Sequence, residues 1–388
     1  MRCRSLKLVL AGVLSMHCSQ TRSQLPEASS GAAKNSASAT NTAWATGAAT
    51  SSDAAVPSNP EFAPILVKAS GRAMGTHLAF AGYTTEALSE RAVEDAWNEA
   101  VKEIQRLEAL MTTWNEASVL SNVNRNAHKG PVKVDPETFY MIEESLRIHA
   151  LSEGAFDVTF ETLHGLWKFD EDLDPHPPSK SKIDAVLPYV GSKHLRLDKA
   201  ALTVAIDNPK TKIGLGGIAK GYAVDKAAEV LSKKGVRSFY FQAGGDLFAK
   251  GRKADGTEWR AGIRDPRGPG WPEPKYFAIL SLSDHAFSTA GDYERSYVVD
   301  GVRYHHILDP RTGLPGRLCK SVTIWAPTAL LADELDDAVF LLGPEKGMKL
   351  VEATDGVGAV IVDAANRLWV SDRLRGKLVL TATPSDGI

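Results

Sequence analysis

Residues 19–60 consist mainly of Ser, Ala, Thr and Asn, with almost no large apolar side chain. Such a stretch cannot bury enough surface to offset the entropy of ordering it, so it reads as a disordered tether. Whatever folds must then lie in residues 61–388. That part shows no internal repeat and no second low-complexity linker, which points to one domain of roughly 330 residues. A content of 43% hydrophobic and 24% charged residues is ordinary for a soluble globular protein. The formal net charge of −2 argues against a nucleic-acid partner, which needs a basic surface.

Ahead of the tether, residues 1–7 carry three basic side chains, residues 8–14 form a short apolar run, and small or polar residues lead to Cys18. Basic, apolar, then small is the layout of a secretory signal, and the run is too short to span a bilayer. Two outcomes fit. One is a lipoprotein acylated on Cys18, although Met16 and His17 stand where small residues are expected. The other is a plain exported chain cut between residues 15 and 23. The expected location is the periplasmic side of the inner membrane, with a lipid on Cys18 as the anchor. The three cysteines, Cys3, Cys18 and Cys319, support neither a disulfide framework nor a four-thiolate zinc site.

In the folded part, strand-like segments surround Gly71–Thr76, and apolar residues Val93, Trp97, Ala100, Ile104, Leu107 and Met111 recur at three- and four-residue spacing. That period predicts an amphipathic helix over 84–111. Helices are also expected over 136–152, 218–234 and 329–342, with Pro344 opening another. Strands are expected at 202–206, 239–241, 259–263, 276–282, 296–299, 321–325, 358–362 and 368–371. Strands with several long helices between them make an α+β domain.

Several segments carry the residue types that chemistry needs. Gly214-Leu-Gly-Gly217, followed by Ile218, Ala219 and Lys220, enters a helix. Glycines let a ligand approach the backbone, the helix start offers free N–H groups, and Lys220 adds a charge, so a phosphate or pyrophosphate cradle fits. Tight helix packing fits equally. Asp333, Asp336 and Asp337 fall at i, i+3 and i+4, on one helix face. They suit a hard cation such as Mg2+ or Ca2+, or else a solvated acidic face. His305 and His306, beside Asp309-Pro-Arg-Thr-Gly313, offer a base, a metal ligand or a phosphate partner. As alternating strand residues, one would be buried and one solvated. Asp246 after Gly244-Gly245, and Asp292 in Ser288-Thr-Ala-Gly-Asp-Tyr293, lie at strand ends, where sites are common. In Gly154-Ala-Phe-Asp157 an aromatic stands beside a carboxylate.

Taken in chain order, these segments resemble the ApbE family of flavin transferases. The resemblance runs over residues 67–373 through Ala73-Met-Gly-Thr76, Met111-Thr-Thr-Trp114 with Ser118 and Asn124, Gly154-Ala-Phe-Asp157, the glycine segment through Asp225, Gly244-Gly-Asp246, Ser288–Tyr293, His305–Gly313, and the run from Ala332-Asp333 to Leu342-Gly343. It implies a single ApbE-type, T-fold-like domain of mixed antiparallel sheets and helices. It also implies an enzyme that binds FAD and Mg2+, releases AMP and attaches FMN by a phosphoester to a Thr or Ser of a target flavoprotein. Such targets include redox-pump subunits and FMN-binding domains. By the same resemblance Met74, Trp114, Ala155, Phe156 and Asp157 are flavin or adenine contacts. Lys220 reaches FAD from the glycine segment, and Ile307 lies beside the phosphates. Asp333, Asp336 and Asp337 hold the metal with the Gly217 carbonyl. His306 is the expected base for the target hydroxyl and Asp292 the alternative.

Four positions depart from the family pattern. Gly214 stands where Asp is usual, Asp337 where Thr is usual, Trp114 where Tyr is usual and Ala290 where Ser is common. The loss of the carboxylate at 214 removes a polar contact to FAD. An FAD pyrophosphatase and a non-catalytic flavin-binding lipoprotein are the rival readings. Asp333 is expected to be an exposed ligand, so that Asp333→Ala would spare the fold.

Overall fold

The computed structural model describes residues 62–169, 173–270 and 273–387. The signal segment, Cys18 and the tether lie outside the described residues. The main sheet has eight strands, antiparallel throughout. Their order is β1 (Leu66–Ala73), β2 (Thr76–Tyr83), β6 (Phe239–Ala243), β7 (Asp246–Lys250), β10 (His285–Gly291), β15 (Cys319–Ala326), β16 (Gly358–Asp363) and β17 (Leu368–Val370). A second sheet runs β18 (Leu378–Leu380), β9 (Tyr276–Leu282), β8 (Trp259–Arg264), and a third runs β3 (Val132–Lys133), β5 (Thr203–Ile206), β4 (Leu195–Asp198). Two small hairpins complete the strands: β11 (Ser296–Val299) with β12 (Val302–His305), and β13 (Leu308–Asp309) with β14 (Leu314–Pro315). The helices are α1 (Glu90–Met111), α2 (Val119–Asn126), α3 (Pro136–Leu151), α4 (Lys180–Val186), α5 (Ala219–Lys233) and α6 (Ala329–Ala353).

Every residue of β15 and β16 is buried. Successive side chains of a strand point to opposite faces, so both faces of the sheet's centre are covered. Val322, Ile324, Ala359 and Ile361 join the core beneath α1, α5 and α6. Trp325, Val360 and Val362 join the core against Trp259, Phe277 and Leu280 of the second sheet. The result is three layers, of helices, the main sheet and the second sheet.

The α1 stripe is as the spacing predicts, with Trp97 packed on Phe80 and Phe241 at ring-centroid distances of 5.6 and 5.3 Å. The helix starts at Glu90 rather than at 84, because Ser89 caps it by accepting from the Ala92 N–H. The preceding residues form a turn closed by Thr85 and Leu88. Gly343, at φ 79°, interrupts α6 before Pro344, so two helical segments meet at a kink there. Helix α2 and strand β7 were not foreseen from the sequence. Among the described residues no helix is long and apolar enough to cross a membrane.

Candidate active site

The glycine segment is held at its start. The Asn124 side-chain amide donates to the Ile213 carbonyl (2.9 Å) and accepts from the Ile213 N–H (2.8 Å), while the Gly214 N–H donates to the Val158 carbonyl (2.9 Å). Further on, Gly221 allows α5 to cross α6 in contact. A Cβ on it would stand 2.3 Å from the Ala329 oxygen and 2.6 Å from the Asp333 Cβ. That approach lets the Gly221 N–H donate to Asp333 Oδ2 at 2.7 Å. Asp225, one turn on, caps the start of α6 by accepting from the Ala329 and Leu330 N–H groups at 2.8 and 2.9 Å. Both sequence readings of the glycines therefore apply at different positions: Gly221 serves helix packing, and Gly216 borders open space.

At the crossing, one carboxylate oxygen from each of Asp246, Asp333 and Asp336 falls within 4.8 Å of the others. All three residues are buried. Lys220 Nζ donates to Asp246 Oδ2 (2.7 Å) and Asp333 Oδ1 (3.1 Å). The Ser288 hydroxyl lies 2.6 Å from both Asp246 Oδ1 and Asp336 Oδ2. A hydroxyl has one proton, so it satisfies only one of these two carboxylates. Burial, then neighbouring carboxylates, pushes the Asp333 and Asp336 carboxyls up, most strongly at Asp336; Lys220 opposes this at Asp333. Burial also raises half-buried Asp337, against the pull of Lys220. The Lys220 ammonium is in turn held well above its ordinary range, its burial outweighed by Asp246 and Asp333. Fully ionised, four carboxylates would outweigh the one ammonium in a buried place, which is why the Asp333, Asp336 and Asp337 carboxyls are pushed up. The donors are all hard oxygens, and such a set suits a divalent cation of the Mg2+ or Ca2+ kind.

Three expectations change here. Asp333 is buried and hydrogen-bonded, not an exposed ligand, so removing it disturbs the α5–α6 contact as well as the acidic centre. Asp246, read from the sequence only as part of a strand-end turn, is a full member of that centre. Asp337 does not join the close trio among the described residues. Its Oδ2 faces the Gly217 backbone, 3.1 Å from where a Cβ would be, and Phe156 Cε2 lies 3.3 Å from the same point.

The two histidines divide their roles. His305 is buried, with Nε2 bonded to the Gly316 carbonyl (2.8 Å) and Nδ1 accepting from the Ile307 N–H (3.3 Å). It is a structural residue, neutral because burial pushes its pKa down to about 4. His306 is half-buried, and its Nδ1 has no hydrogen-bond partner among the described residues. Burial, then Arg295, His305 and Lys220, pushes its pKa down to about 3, so its imidazole is neutral and has a lone pair to offer. Asp292 is different, since Arg267 binds both its oxygens at 2.7 Å. A carboxylate held in that bidentate pair is an anchor, not a free base.

Met74 sits at φ 51° in the two-residue turn between β1 and β2. This turn lies at the end of the sheet where β7 begins, for the Gly244 N–H donates to the His77 carbonyl and a Cβ on Gly244 would meet Thr76 Oγ1 at 2.6 Å. Trp114 is 72% exposed, with its ring edge-on to His164 at 5.1 Å. Ala155, Phe156 and Ile307 are buried in the main core. Asp157 is also buried, and both its oxygens serve the fold: Oδ1 accepts from the Thr159 N–H and hydroxyl, and Oδ2 from the Ser192 N–H and His149. Its side chain fixes the loop at Ser192, which leaves backbone and neighbouring residues for any ligand.

The chain matches the ApbE family over residues 74–361. It is 31% identical over 292 residues to the FAD:protein FMN transferase of Vibrio cholerae, covering 74% of this chain and 84% of that protein. It is 34% identical over 301 residues to the FAD:protein FMN transferase of Treponema pallidum, covering 73% and 82%. Among solved structures, the ApbE protein of Thermotoga maritima superposes with a TM-score of 0.72 at 32% identity, over 81% of this chain and 99% of that one. The flavin transferase ApbE of Vibrio cholerae gives a TM-score of 0.72 at 28% identity, over 81% and 100%. By sequence and by fold, the chain belongs to the ApbE family.

Proposed function

We propose that this chain transfers FMN from FAD to a Thr or Ser hydroxyl of an acceptor flavoprotein and releases AMP. The observation that carries the reading is the buried group of Asp246, Asp333, Asp336, Lys220 and Ser288 at the start of the glycine-led helix α5, in a chain whose relatives are FAD:protein FMN transferases. The acceptor oxygen forms a bond to the FMN phosphorus as the pyrophosphate P–O bond breaks, and the bond electrons leave with AMP. The hydroxyl proton goes to His306, whose Nδ1 has no hydrogen-bond partner among the described residues; its basicity is depressed here, so the negative charge of the bound FAD phosphates has to lift it. Lys220 holds the acidic residues in place and presents positive charge toward the phosphates. Asp246, Asp333 and Asp336, with Asp337 and the Gly217 carbonyl beside them, would hold a divalent cation such as Mg2+. Bound there, it would offset pyrophosphate charge that builds as the bond breaks.

The test is AMP release from FAD by the purified full-length chain with Mg2+, with and without an FMN-binding acceptor domain. AMP formed only with the acceptor, together with the mass of covalent FMN on it, is the expected result. AMP formed without the acceptor would point to an FAD pyrophosphatase, and FAD bound without any AMP would point to a flavin binder. His306→Asn should lower transfer by roughly 10²- to 10⁴-fold, the usual contribution of a general base, while FAD binding persists. Unchanged transfer would remove His306 from the reaction.

We also propose that the chain works on the periplasmic side of the inner membrane, tethered by a lipid on Cys18, and that its acceptor is a redox-pump subunit or an FMN-binding domain. The basic, apolar and small layout of residues 1–18 supports this location. Incorporation of labelled palmitate that Cys18→Ser abolishes is the expected result.

A further inference from the structure

Gly214 leaves a specific gap, and a side chain from another element fills it. A Cβ built on Gly214 would stand 2.7 Å from Glu161 Oε2, 3.1 Å from Glu161 Cβ and 3.2 Å from its Cδ. The Glu161 carboxylate thus occupies the volume into which a side chain on residue 214 would project. It comes from the short 3-10 turn Val158–Leu163, which follows directly on Ala155, Phe156 and Asp157. The Glu161 side chain is 12% exposed, and its Oε1 meets His164 Nδ1 at 3.1 Å. Oε2 has no donor among the described residues. The His164 ring lies edge-on to exposed Trp114. Glu161, His164 and Trp114 therefore form a continuous edge leading to the glycine segment that opens α5.

We infer that Glu161 is an FAD-binding residue of this chain, its carboxylate accepting a hydrogen bond from a ring N–H or sugar hydroxyl of FAD where residue 214 offers no side chain. The inference rests on the FMN-transfer reading. A carboxylate repels phosphate, so Glu161 serves the hydroxyl- and N–H-bearing parts of FAD, while Lys220 and the acidic centre serve the pyrophosphate. Glu161 puts a carboxylate, from another element, in the space that a side chain on residue 214 would enter. A carboxylate at either 161 or 214 should therefore serve, and carboxylates at both should conflict.

The test is the FAD dissociation constant of the full-length chain with Mg2+, read by flavin fluorescence, alongside thermal melting of each variant. Glu161→Gly should raise Kd by roughly 10- to 100-fold, the loss of one hydrogen bond to a charged group. Gly214→Asp alone should also weaken binding, because its Cβ meets Glu161 Oε2 and two carboxylates compete for one volume. The double variant E161G/G214D should bind within about threefold of the wild type, by the same conversion of hydrogen-bond energy to affinity. Glu161→Gln keeps the shape of the side chain and tests the charge should the glycine variant melt early. Wild-type affinity in both Glu161→Gln and Glu161→Gly, or a double variant no tighter than Glu161→Gly alone, would overturn the assignment and leave FMN transfer standing. A wild type that binds no FAD would overturn both.

Discussion

At the scale of single residues, the acidic centre is short of positive charge and Asp336 is where the shortage is greatest. Its carboxyl is buried among three other carboxylates and shares the one Ser288 proton with Asp246. Asp336→Asn keeps the shape and removes a group whose ionised form has no full counterpart. The variant should melt no lower than the wild type without metal, should show none of the rise in melting temperature on adding Mg2+ that is expected of the wild type, and should transfer FMN at least ~100-fold more slowly. Melting curves with and without Mg2+ check the first two, and AMP release the third. The sequence makes Asp333, Asp336 and Asp337 legible as one helix face, because helical spacing alone puts them there. It does not make Asp246 legible as their partner, since that contact comes from β7 and exists only once the sheet is closed. Nor does it reveal Glu161, whose meaning depends on a Cβ that residue 214 lacks.

At the scale of elements, the site depends on how closely α5 and α6 cross. Gly221→Ala puts a methyl group 2.3 Å from the Ala329 oxygen, so the helices must separate. We expect a loss of about 1–3 kcal/mol or more in urea unfolding. Gly216→Ala, with nothing within 4 Å of its Cβ, should stay within about 0.5 kcal/mol of the wild type. The end of α3 is tied to the following turn by His149 and Asp157, 3.0 Å apart. The hydrogen bond that His149 Nδ1 donates to Asp157 raises the His149 pKa above 6.5, against its burial. For Asp157, burial pulls upward but the bonds from His149, Thr159 and Ser192 prevail and lower it below 3.8. The histidine's contribution is complete below its unfolded pKa and is lost as pH rises through its folded one. The aspartate's is present above its unfolded pKa and is lost as pH falls. His149→Gln should therefore cost most stability near pH 5–6 and least above pH 8, as urea midpoints across that range would show. The element pattern was legible where local chemistry decides it. Gly343 and Pro344 mark the break in α6, and the apolar stripe marks α1. The apolar stripe begins at Val93 and does not fix where α1 starts; the Ser89 cap sets that boundary.

At the scale of the molecule, the C-terminal residues strap the second sheet to the loop that carries Asp292. The Ser385 N–H and hydroxyl bind Asp265, Lys320 pairs with Asp386 at 2.6 Å, and Arg267, which clamps Asp292, also donates to the Gly387 carbonyl. Truncation after Leu380 should lower the melting temperature by a few degrees, on the order of 2–4 °C, and slow FMN transfer with it. An unchanged melt would show the strap to be idle. The single α+β domain was legible from the absence of any linker past residue 61, whereas the strand order was not, because non-adjacent strands pair. The first hairpin illustrates why: β2 ends at Tyr83, and its other neighbour, β6, starts only at Phe239. The intervening chain must travel out and return before the sheet can grow. Closing so long a loop costs stability only logarithmically, but long-range pairing is slow. Lys220 and Asp246 lie on either side of that return point, and Ser288 and Asp336 arrive later still. The centre is complete only when α5, β7, β10 and α6 are all docked, so flavin chemistry needs the whole sheet closed.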